Sequence, residues 1–313
     1  MKLQFDKGGR RFFFLTFAVR ERRPFLSRIV EKPGRDGVPS WGIEFLPPGE
    51  AVAELWRGIH ARWPFLTASN FVIMPDHVHL LLIADYAQAP AFDVLDWFQH
   101  FRREGEVAVA PLIGEKPAYV WEDHFWLMLL NAGVTLAAVR KYIRMNPARK
   151  KWKEQHPDRF VRMRGFRHPS LDPSLPWTAI GDLTLLASPF LFPVRLTRRM
   201  TVEQHEPEIE RMVGLARLGW LPVCGFLSPG EKELERRLRA EPYTRWIKMV
   251  AHGLPPRFDP TVEDSRFLAE GRQLFLSSFA DDVPVFPVNY DNCHVMNERN
   301  EALCARAAAG GER

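Results

Sequence analysis

The chain has 313 residues, enough for one large domain or two ordinary ones. Hydrophobic residues make up 46% of it, and 23 Phe with 10 Trp indicate large packed cores. No apolar run approaches the ~18 residues of a transmembrane helix, and the three cysteines lack CxxC spacing. We therefore expect no membrane span, a cytoplasmic location and no structural zinc.

The net charge of +5 is unevenly distributed along the chain. Residues 1–200 carry 29 Lys and Arg against 20 Asp and Glu, whereas residues 201–313 carry 14 against 18. The densest basic stretch is Arg140–Arg167, where eleven basic residues accompany only Glu154 and Asp158. This run is either a solvated face or a surface that binds nucleic-acid phosphates, with interleaved aromatic rings on which bases stack.

In chain order, the first half predicts the pattern β-α-β-β-α-β-α. We expect residues 33–48 to form a loop, Thr135 to cap the last helix and Pro147 to end it. Antiparallel strands with helices packed on the sheet are typical of an α+β fold. The predicted strands are Arg11–Arg20, Ser69–Met74, His77–Ile83 and Val120–Leu130, and the predicted helices are Glu50–Arg62, Phe92–Arg103 and Thr135–Met145.

The segment His168–Pro193 contains five prolines and few charges, and we interpret it as a connection between two domains. The predicted domains are residues 1–167 and the smaller 194–313. Beyond the connection, strands and helices alternate from Val194 to Ala309, which favours a Rossmann-like α/β domain with a parallel sheet.

A possible metal site lies in the stretch FVIMPDHVHLLLI, residues 71–83. It predicts two apolar strands joined at Pro75-Asp76, with His77 and His79 at the start of the second. Alternate residues of a strand share a face, so the two imidazoles lie side by side and can bind one divalent cation. Core histidines remain the alternative, but two on one buried face cost desolvation unless they are paired.

The predicted helix Thr135–Met145 adds two further candidates, Tyr142 and Asn146. Positions i and i+4 share a helix face, so both side chains can point toward the histidine pair. A tyrosine nucleophile beside a cation suits phosphodiester cleavage, because covalent catalysis divides the reaction into two easier steps. Considered alone, Tyr142 is more readily interpreted as a half-buried packing residue, and its combination with Asn146 and the histidine pair is what favours a catalytic role.

Together these motifs resemble a known family. FVIMPDHVHLLL is similar to the signature strand pair of HUH endonucleases, in which U is an apolar residue. KYIRMNPARK resembles the tyrosine helix of the REP-associated tyrosine transposases, relatives of the single-tyrosine insertion-sequence transposases. LTFAVRERRPFL, DVLDWFQHFRRE and VWEDHFWLMLL resemble the family's supporting elements, so the resemblance covers about Arg11 to Lys153.

The resemblance implies a transposase-like enzyme that cuts single-stranded DNA near hairpins through a 5′-phosphotyrosine. It implies Tyr142 as the nucleophile, His77 and His79 as ligands of Mg²⁺ or Mn²⁺, and Asn146 as a third ligand or a partner of the metal site. A homodimer is plausible on the same grounds. The expected DNA contacts are Arg140, Lys141, Arg144, Arg149, Lys150, Lys151 and Lys153.

The C-terminal part has a weaker resemblance of its own. LPVCGFLSPGEKEL, IKMVAHGLPPRF and GRQLFLSSF are similar to the Rossmann-like core of DNA-processing protein A. The loop SPGEK lacks a complete Gly-rich phosphate motif, which favours a structural or DNA-gripping role over nucleotide binding.

Two other functional classes stay open at this point. One is a domesticated single-stranded DNA-binding protein or repressor that keeps the fold but does not move DNA. The other is a barrel-type metallohydrolase with an H-x-H pair, which requires a (β/α)₈ pattern that the first 150 residues do not follow.

Overall fold

The computed structural model describes residues 9–33, 40–130, 136–256, 258–284 and 289–310. The chain divides into two compact units, residues 1–151 and 152–313. The fold is α+β, with an antiparallel sheet in the first unit and a mainly parallel α/β sheet in the second. Thr135, the predicted helix cap, lies outside the described residues.

The first unit contains six strands and four helices among its described residues. A pair of short helices precedes the strand pair that carries the histidines, and a long helix follows the last strand. The strands are β1 (Arg10–Val19), β2 (Ser27–Lys32), β3 (Ser40–Phe45), β4 (Leu66–Ile73), β5 (His77–Asp85) and β6 (Trp121–Leu129); the helices are α1 (Pro47–Arg57), α2 (Ile59–Arg62), α3 (Val94–Ile113) and α4 (Leu136–Gln155). The last residues of α4, from Trp152 on, belong to the second unit.

Four of these strands form one antiparallel sheet in the order β4-β5-β1-β6. The central strand β1 has the sequence RRFFFLTFAV, which is apolar on both faces because both faces are covered. Phe13, Leu15 and Phe17 point into the core formed with α1 and α3. Phe12 and Phe14 point the other way and pack with Val139 and Ile143 of α4. Alternation along the strand therefore fixes which residues face α4.

Two elements of the first unit differ from the sequence prediction. Residues 40–45, expected in a loop, form β3, which pairs with β2 in register from Ser27 opposite Phe45 to Lys32 opposite Ser40. Helix α4 does not end at Pro147 but continues to Gln155. A proline inside a helix costs about 3 kcal/mol. Residues 146–149 are all buried, and we attribute the continuation of the helix to this packing.

The second unit is built on a six-stranded sheet in the order β7-β8-β12-β11-β10-β9. Strands β9 to β12 are parallel and lie in sequence order, as expected for strands joined by helical crossovers, while β7 and β8 are antiparallel additions. The strands are β7 (Met163–Arg164), β8 (Thr178–Gly181), β9 (Leu191–Pro193), β10 (Leu221–Cys224), β11 (Trp246–Met249) and β12 (Gln273–Ser277); the helices are α5 (Glu206–Arg217), α6 (Pro229–Ala240), α7 (Val262–Ala269) and α8 (Tyr290–Gly310).

The structure differs from the predicted connection at His168–Pro193. Strand β8 lies within this segment and pairs with β12, and β9 pairs with β10. Leu171, Trp177 and Leu185 are buried in the core of the second unit. The prolines therefore separate short strands and turns of a folded unit. The described part of the first unit has an antiparallel sheet, which is incompatible with the barrel alternative.

Candidate active site

The two predicted metal ligands lie at the start of β5, on the sheet face that α4 covers. The ring centroids of His77 and His79 are 4.8 Å apart. Asp76 accepts a hydrogen bond from Nδ1 of His77 at 2.8 Å, and Nδ1 of His79 lies 2.7 Å from Oγ1 of Thr16. Each imidazole thus uses one nitrogen to bond a protein group. With the proton on Nδ1, the lone pair of each Nε2 is available to a ligand.

His79 is the more buried member of the pair, with 6% of its surface exposed. Burial lowers its pKa well below that of an exposed histidine, and the charges of His77 and Arg149 act in the same direction. The ring is therefore neutral near pH 7. A neutral imidazole is the form that binds metal ions.

Asp76, which accepts the hydrogen bond from His77, is ionised. Burial alone favours its protonated form, but the hydrogen bond from His77 and the charges of His77, Lys150 and Arg22 keep its pKa below the usual value. Arg22 approaches the carboxylate at 3.9 Å. The backbones of Glu21 and Arg22 adopt the left-handed conformation that non-glycine residues seldom adopt. An ionised Asp76 fixes the orientation of the His77 ring because a carboxylate can only accept.

Tyr142 lies directly beside the histidines. Its ring centroid is 5.3 Å from that of His79, at an interplanar angle of 74°. Phe14 packs against both rings: it stacks on His79 at 5.3 Å and meets Tyr142 edge-on at 5.8 Å. The phenol ring is therefore held by aromatic packing next to the imidazole pair.

Arg149, predicted as a DNA contact of the basic run, also lies at this site. Its residue exposure is only 5%, and its guanidinium carbon lies 5.0 Å from the centroid of the Tyr142 ring. Tyr142, Asn146 and Arg149 follow one another at spacings of four and three, so they share one face of α4. This face presents a nucleophile candidate, an amide and a cation to the same side.

Asn146 is buried, with 7% of its surface exposed. The described contacts join Tyr142 to His79, but none of those in the described part of the chain joins Asn146 to either histidine. Its role as a third ligand therefore stays a prediction.

The remaining basic residues predicted to contact DNA differ in how far they are exposed on α4. Arg140 and Arg144 are exposed, whereas Lys141, Lys150 and Lys151 are half-buried. Lys153 is exposed and forms an ion pair with Asp259 at 3.2 Å. Of the predicted DNA contacts, only Arg149 is fully buried, and we distinguish it from the others below.

The two histidines supply only part of the ligands that Mg²⁺ or Mn²⁺ requires. In the described residues, no group of three or more His, Cys, Asp and Glu side chains comes together as a metal site. A cation at His77 and His79 would therefore need oxygen ligands from the Asn146 amide, water or a substrate phosphate. Mg²⁺ and Mn²⁺ accept such oxygen ligands.

The sequence interpretation missed three residues that support this site. Thr16 is the single hydroxyl in the apolar run FFFLTFAV, which is the signal that could have identified it. Asp76 directly precedes His77, so its position was available from the motif itself. Phe14 carried no signal, because it is one of three consecutive phenylalanines.

The second unit contains the SPGEK loop at the start of α6. In this loop the carboxylate of Glu231 accepts hydrogen bonds from backbone N–H groups. Ser228 caps the helix, and Glu231 accepts hydrogen bonds from the backbone N–H groups of Leu227 and Ser228 at 2.8 and 3.1 Å. Glu231 is itself buried. A phosphate at this helix start would have to displace an internal carboxylate, which disfavours nucleotide binding by this loop.

Comparison with known proteins finds solved structures that resemble parts of this chain but shows no family. No family model matches the chain, and no curated protein matches it. A Deinococcus radiodurans R1 protein provisionally assigned as a transposase matches at 17% identity, over 46% of this chain and 95% of that one, with a TM-score of 0.30. A REP-associated tyrosine transposase bound to a REP hairpin matches at 18% identity, over 50% and 78%, with a TM-score of 0.30.

The third structure is DNA processing protein A from Helicobacter pylori, described for its single-stranded DNA binding mode. It matches at 22% identity, over 46% of this chain and 66% of that one, with a TM-score of 0.35. At these identities and scores, function has to be argued from the residues of the site. None of the helices among the described residues is long and apolar enough to cross a membrane.

Proposed function

We propose that the chain is a single-stranded DNA endonuclease and strand transferase of the transposase type, with Tyr142 as its nucleophile. The observation that carries the proposal is the position of the Tyr142 ring, 5.3 Å from the ring of His79 and 5.0 Å from the guanidinium of Arg149. A phenol and a buried cation on α4, packed against an imidazole pair on the sheet, suit attack on a phosphodiester.

The proposed reaction conserves the energy of the phosphodiester bond. The phenolic oxygen of Tyr142 attacks phosphorus and forms a 5′-phosphotyrosine, while the bond from phosphorus to the 3′ oxygen breaks. The phenolic proton passes to solvent, and the leaving 3′ oxygen takes a proton to become a hydroxyl. Attack of a 3′ hydroxyl on the phosphotyrosine reverses these steps and joins strands, so no nucleotide cofactor is consumed.

The residues around the tyrosine have distinct proposed roles. Arg149 offers a fixed positive charge to the phosphate, since a guanidinium binds phosphate oxygens in a planar, paired geometry. Asp76, which can only accept, keeps the proton of His77 on Nδ1, and Thr16 orients the His79 ring through its Nδ1. Mg²⁺ or Mn²⁺ bound by His77 and His79 would neutralise charge on the phosphate during attack.

The test uses labelled single-stranded oligonucleotides from the DNA flanking the gene, with Mg²⁺ or Mn²⁺. A 5′-phosphotyrosine attaches the protein to the downstream fragment. A 3′ label should therefore move with the protein on a denaturing gel, and a 5′ label should appear on a shorter fragment with a free 3′ hydroxyl. Binding without any adduct would support the DNA-binding or repressor alternative. Adduct formation on the 5′-labelled fragment would contradict the proposed polarity.

A paired variant tests the metal role separately. Replacing His77 and His79 together by Ala should abolish the adduct without unfolding the unit, and EDTA should have the same effect on the unmodified chain. Circular dichroism of the variant checks the fold. Full activity in EDTA would contradict the metal role and leave the histidines as packing residues.

A further inference from the structure

An exposed tryptophan lies on the same sheet face as the proposed nucleophile. Trp126 in β6 is 62% exposed, the largest exposed fraction among the ten tryptophans. Large aromatic side chains usually bury most of their surface. A strand residue that leaves an indole in solvent beside a candidate active site therefore requires a reason.

The strand register fixes where this ring lies. Thr16 of β1 pairs directly with His79 of β5 on one side and with Trp126 of β6 on the other. Residues paired in this way project on the same face. Neighbouring strands are about 4.8 Å apart, so the backbones of His79 and Trp126 are separated by roughly 10 Å across Thr16.

The packing of β6 confirms the direction of the side chain. Met128, two residues along the strand, pairs with Phe14 and packs in the cluster beneath α4. Phe125 points the opposite way, toward the core with α3. Trp126 therefore projects from the face that carries His77, His79 and Tyr142, at the open edge of the sheet.

We propose that Trp126 forms a stacking subsite for a nucleobase of the single-stranded DNA substrate, next to the phosphate at Tyr142. The proposal rests on the proposed function. A strand whose phosphate lies at the histidines has its neighbouring nucleotides within reach of the sheet edge. An exposed indole offers them a flat ring, and stacking on such rings tolerates any base.

The charged residues of β6 disfavour a second protein strand at this edge. Asp123 and His124 are exposed on the strand, and the Asp123 side chain is 88% exposed although it pairs with Arg20 at 3.3 Å. Charged side chains on an edge strand discourage the addition of another strand. A nucleobase needs only the ring of Trp126 and leaves those charges in solvent.

The experiment separates base stacking from phosphate binding. In the full chain carrying Tyr142→Phe, which cannot cut, fluorescence anisotropy measures affinity for oligothymidylate and for an abasic chain of equal length, about 20 nucleotides, longer than typical site sizes. Trp126→Ala should weaken binding of oligothymidylate by about 5- to 150-fold, the range for removal of one stacked ring, and leave binding of the abasic chain nearly unchanged. Trp126→Phe should restore most of the affinity.

Tyr243→Ala is the control, because that tyrosine is 89% exposed in the second unit. It should change neither affinity. Equal losses on both oligonucleotides, or no loss, would overturn the stacking subsite while DNA binding stands. A change of oligomeric state in Trp126→Ala, measured by sedimentation, would assign the ring to a contact between copies and overturn it too. No binding of DNA by the Tyr142→Phe chain would reject the subsite and the proposed function together.

Discussion

Arg149 and Tyr142 face each other within α4, with the guanidinium carbon 5.0 Å from the centroid of the phenol ring. Arg149 is seven residues beyond the tyrosine, two helical turns along the same face. This places a buried cation where the scissile phosphate must lie if Tyr142 attacks it. The two residues are therefore best treated as one unit, and the first prediction separates Arg149 from its basic neighbours.

Arg149→Gln should reduce adduct formation by roughly 10²-fold, the usual effect of removing one group that stabilises transition-state charge, with a smaller effect on DNA affinity. Single-turnover rates from the denaturing-gel assay give the measurement, and a thermal melt checks folding because Arg149 is buried. Arg144→Gln is the matched control, since Arg144 is exposed on another face of the helix. Equal effects of the two substitutions would show that Arg149 is an ordinary phosphate contact.

Thr16→Val keeps the shape of the side chain and removes the hydroxyl beside Nδ1 of His79. Loss of such a partner commonly lowers metal affinity 10- to 100-fold. We therefore expect the Mn²⁺ concentration for half-maximal adduct formation to rise by about that factor, and Thr16→Ser to restore it. An unchanged Mn²⁺ dependence in the valine variant would mean that the hydroxyl does not orient the ring.

The basic residues of α4 other than Arg149 should bind DNA phosphates without regard to base sequence. Replacing Lys141, Arg144, Lys150 and Lys151 by Gln should lower the log–log slope of affinity against salt by about 0.7 for each phosphate that the variant no longer neutralises. Lys232→Gln with Arg245→Gln, in the mildly acidic residues 201–313, serves as the control. A slope that stays the same in the quadruple variant would identify the run as a solvated face.

A buried carboxylate in the second unit gives a pH-dependent stability prediction. Asp264 accepts hydrogen bonds from Arg239 at 2.7 Å, Thr261 at 2.7 Å and Gln273 at 3.1 Å. Burial opposes ionisation, but the charges of Lys248 and Arg239 and these hydrogen bonds lower its pKa. Its folded pKa is thus below the unfolded value of about 3.9. The stabilisation is present above that value and is lost as the pH falls toward the folded pKa.

Asp264→Asn should accordingly lower the free energy of unfolding at pH 7 by roughly 3–5 kcal/mol, because it leaves charges without their partner. Urea unfolding at pH 7 and pH 3 gives the comparison, and the difference between variant and unmodified chain should shrink at the lower pH. An equal difference at both values would exclude a contribution from the ionised carboxylate.

Much of the architecture was available from local patterns. Short apolar runs bounded by turn residues or charges identified β1, β4, β5 and β6 as strands. The predictions that were wrong concern features that depend on contacts between residues distant in sequence. Pro147 predicted a helix end, yet α4 continues through it, and the burial of residues 146–149 gives a reason. The prolines of His168–Pro193 suggested a connection, yet β8 pairs with β12 about one hundred residues away.

The candidate site was predictable in part for the same reason. The H-x-H spacing places both imidazoles on one face by strand geometry alone, and the structure brings Tyr142 beside them. Arg149 could not be distinguished from Lys150 or Lys151 by composition, because only the helical phase relative to the sheet decides which cation is buried. Thr16 joins the site through the pairing of β1 with β5, which a single strand sequence does not reveal.

The identity of the residue in the covalent adduct tests the proposed chemistry most directly. After incubation with a cleavable single-stranded oligonucleotide, proteolysis and mass spectrometry locate the nucleotide-bearing peptide among the five tyrosines of the chain. The nucleotide should be on Tyr142; Tyr142→Phe should form no adduct while still binding DNA, and Tyr119→Phe, at an exposed tyrosine, should react as the unmodified chain does. An adduct on another residue, or one formed by Tyr142→Phe at the unmodified rate, would contradict Tyr142 as the nucleophile.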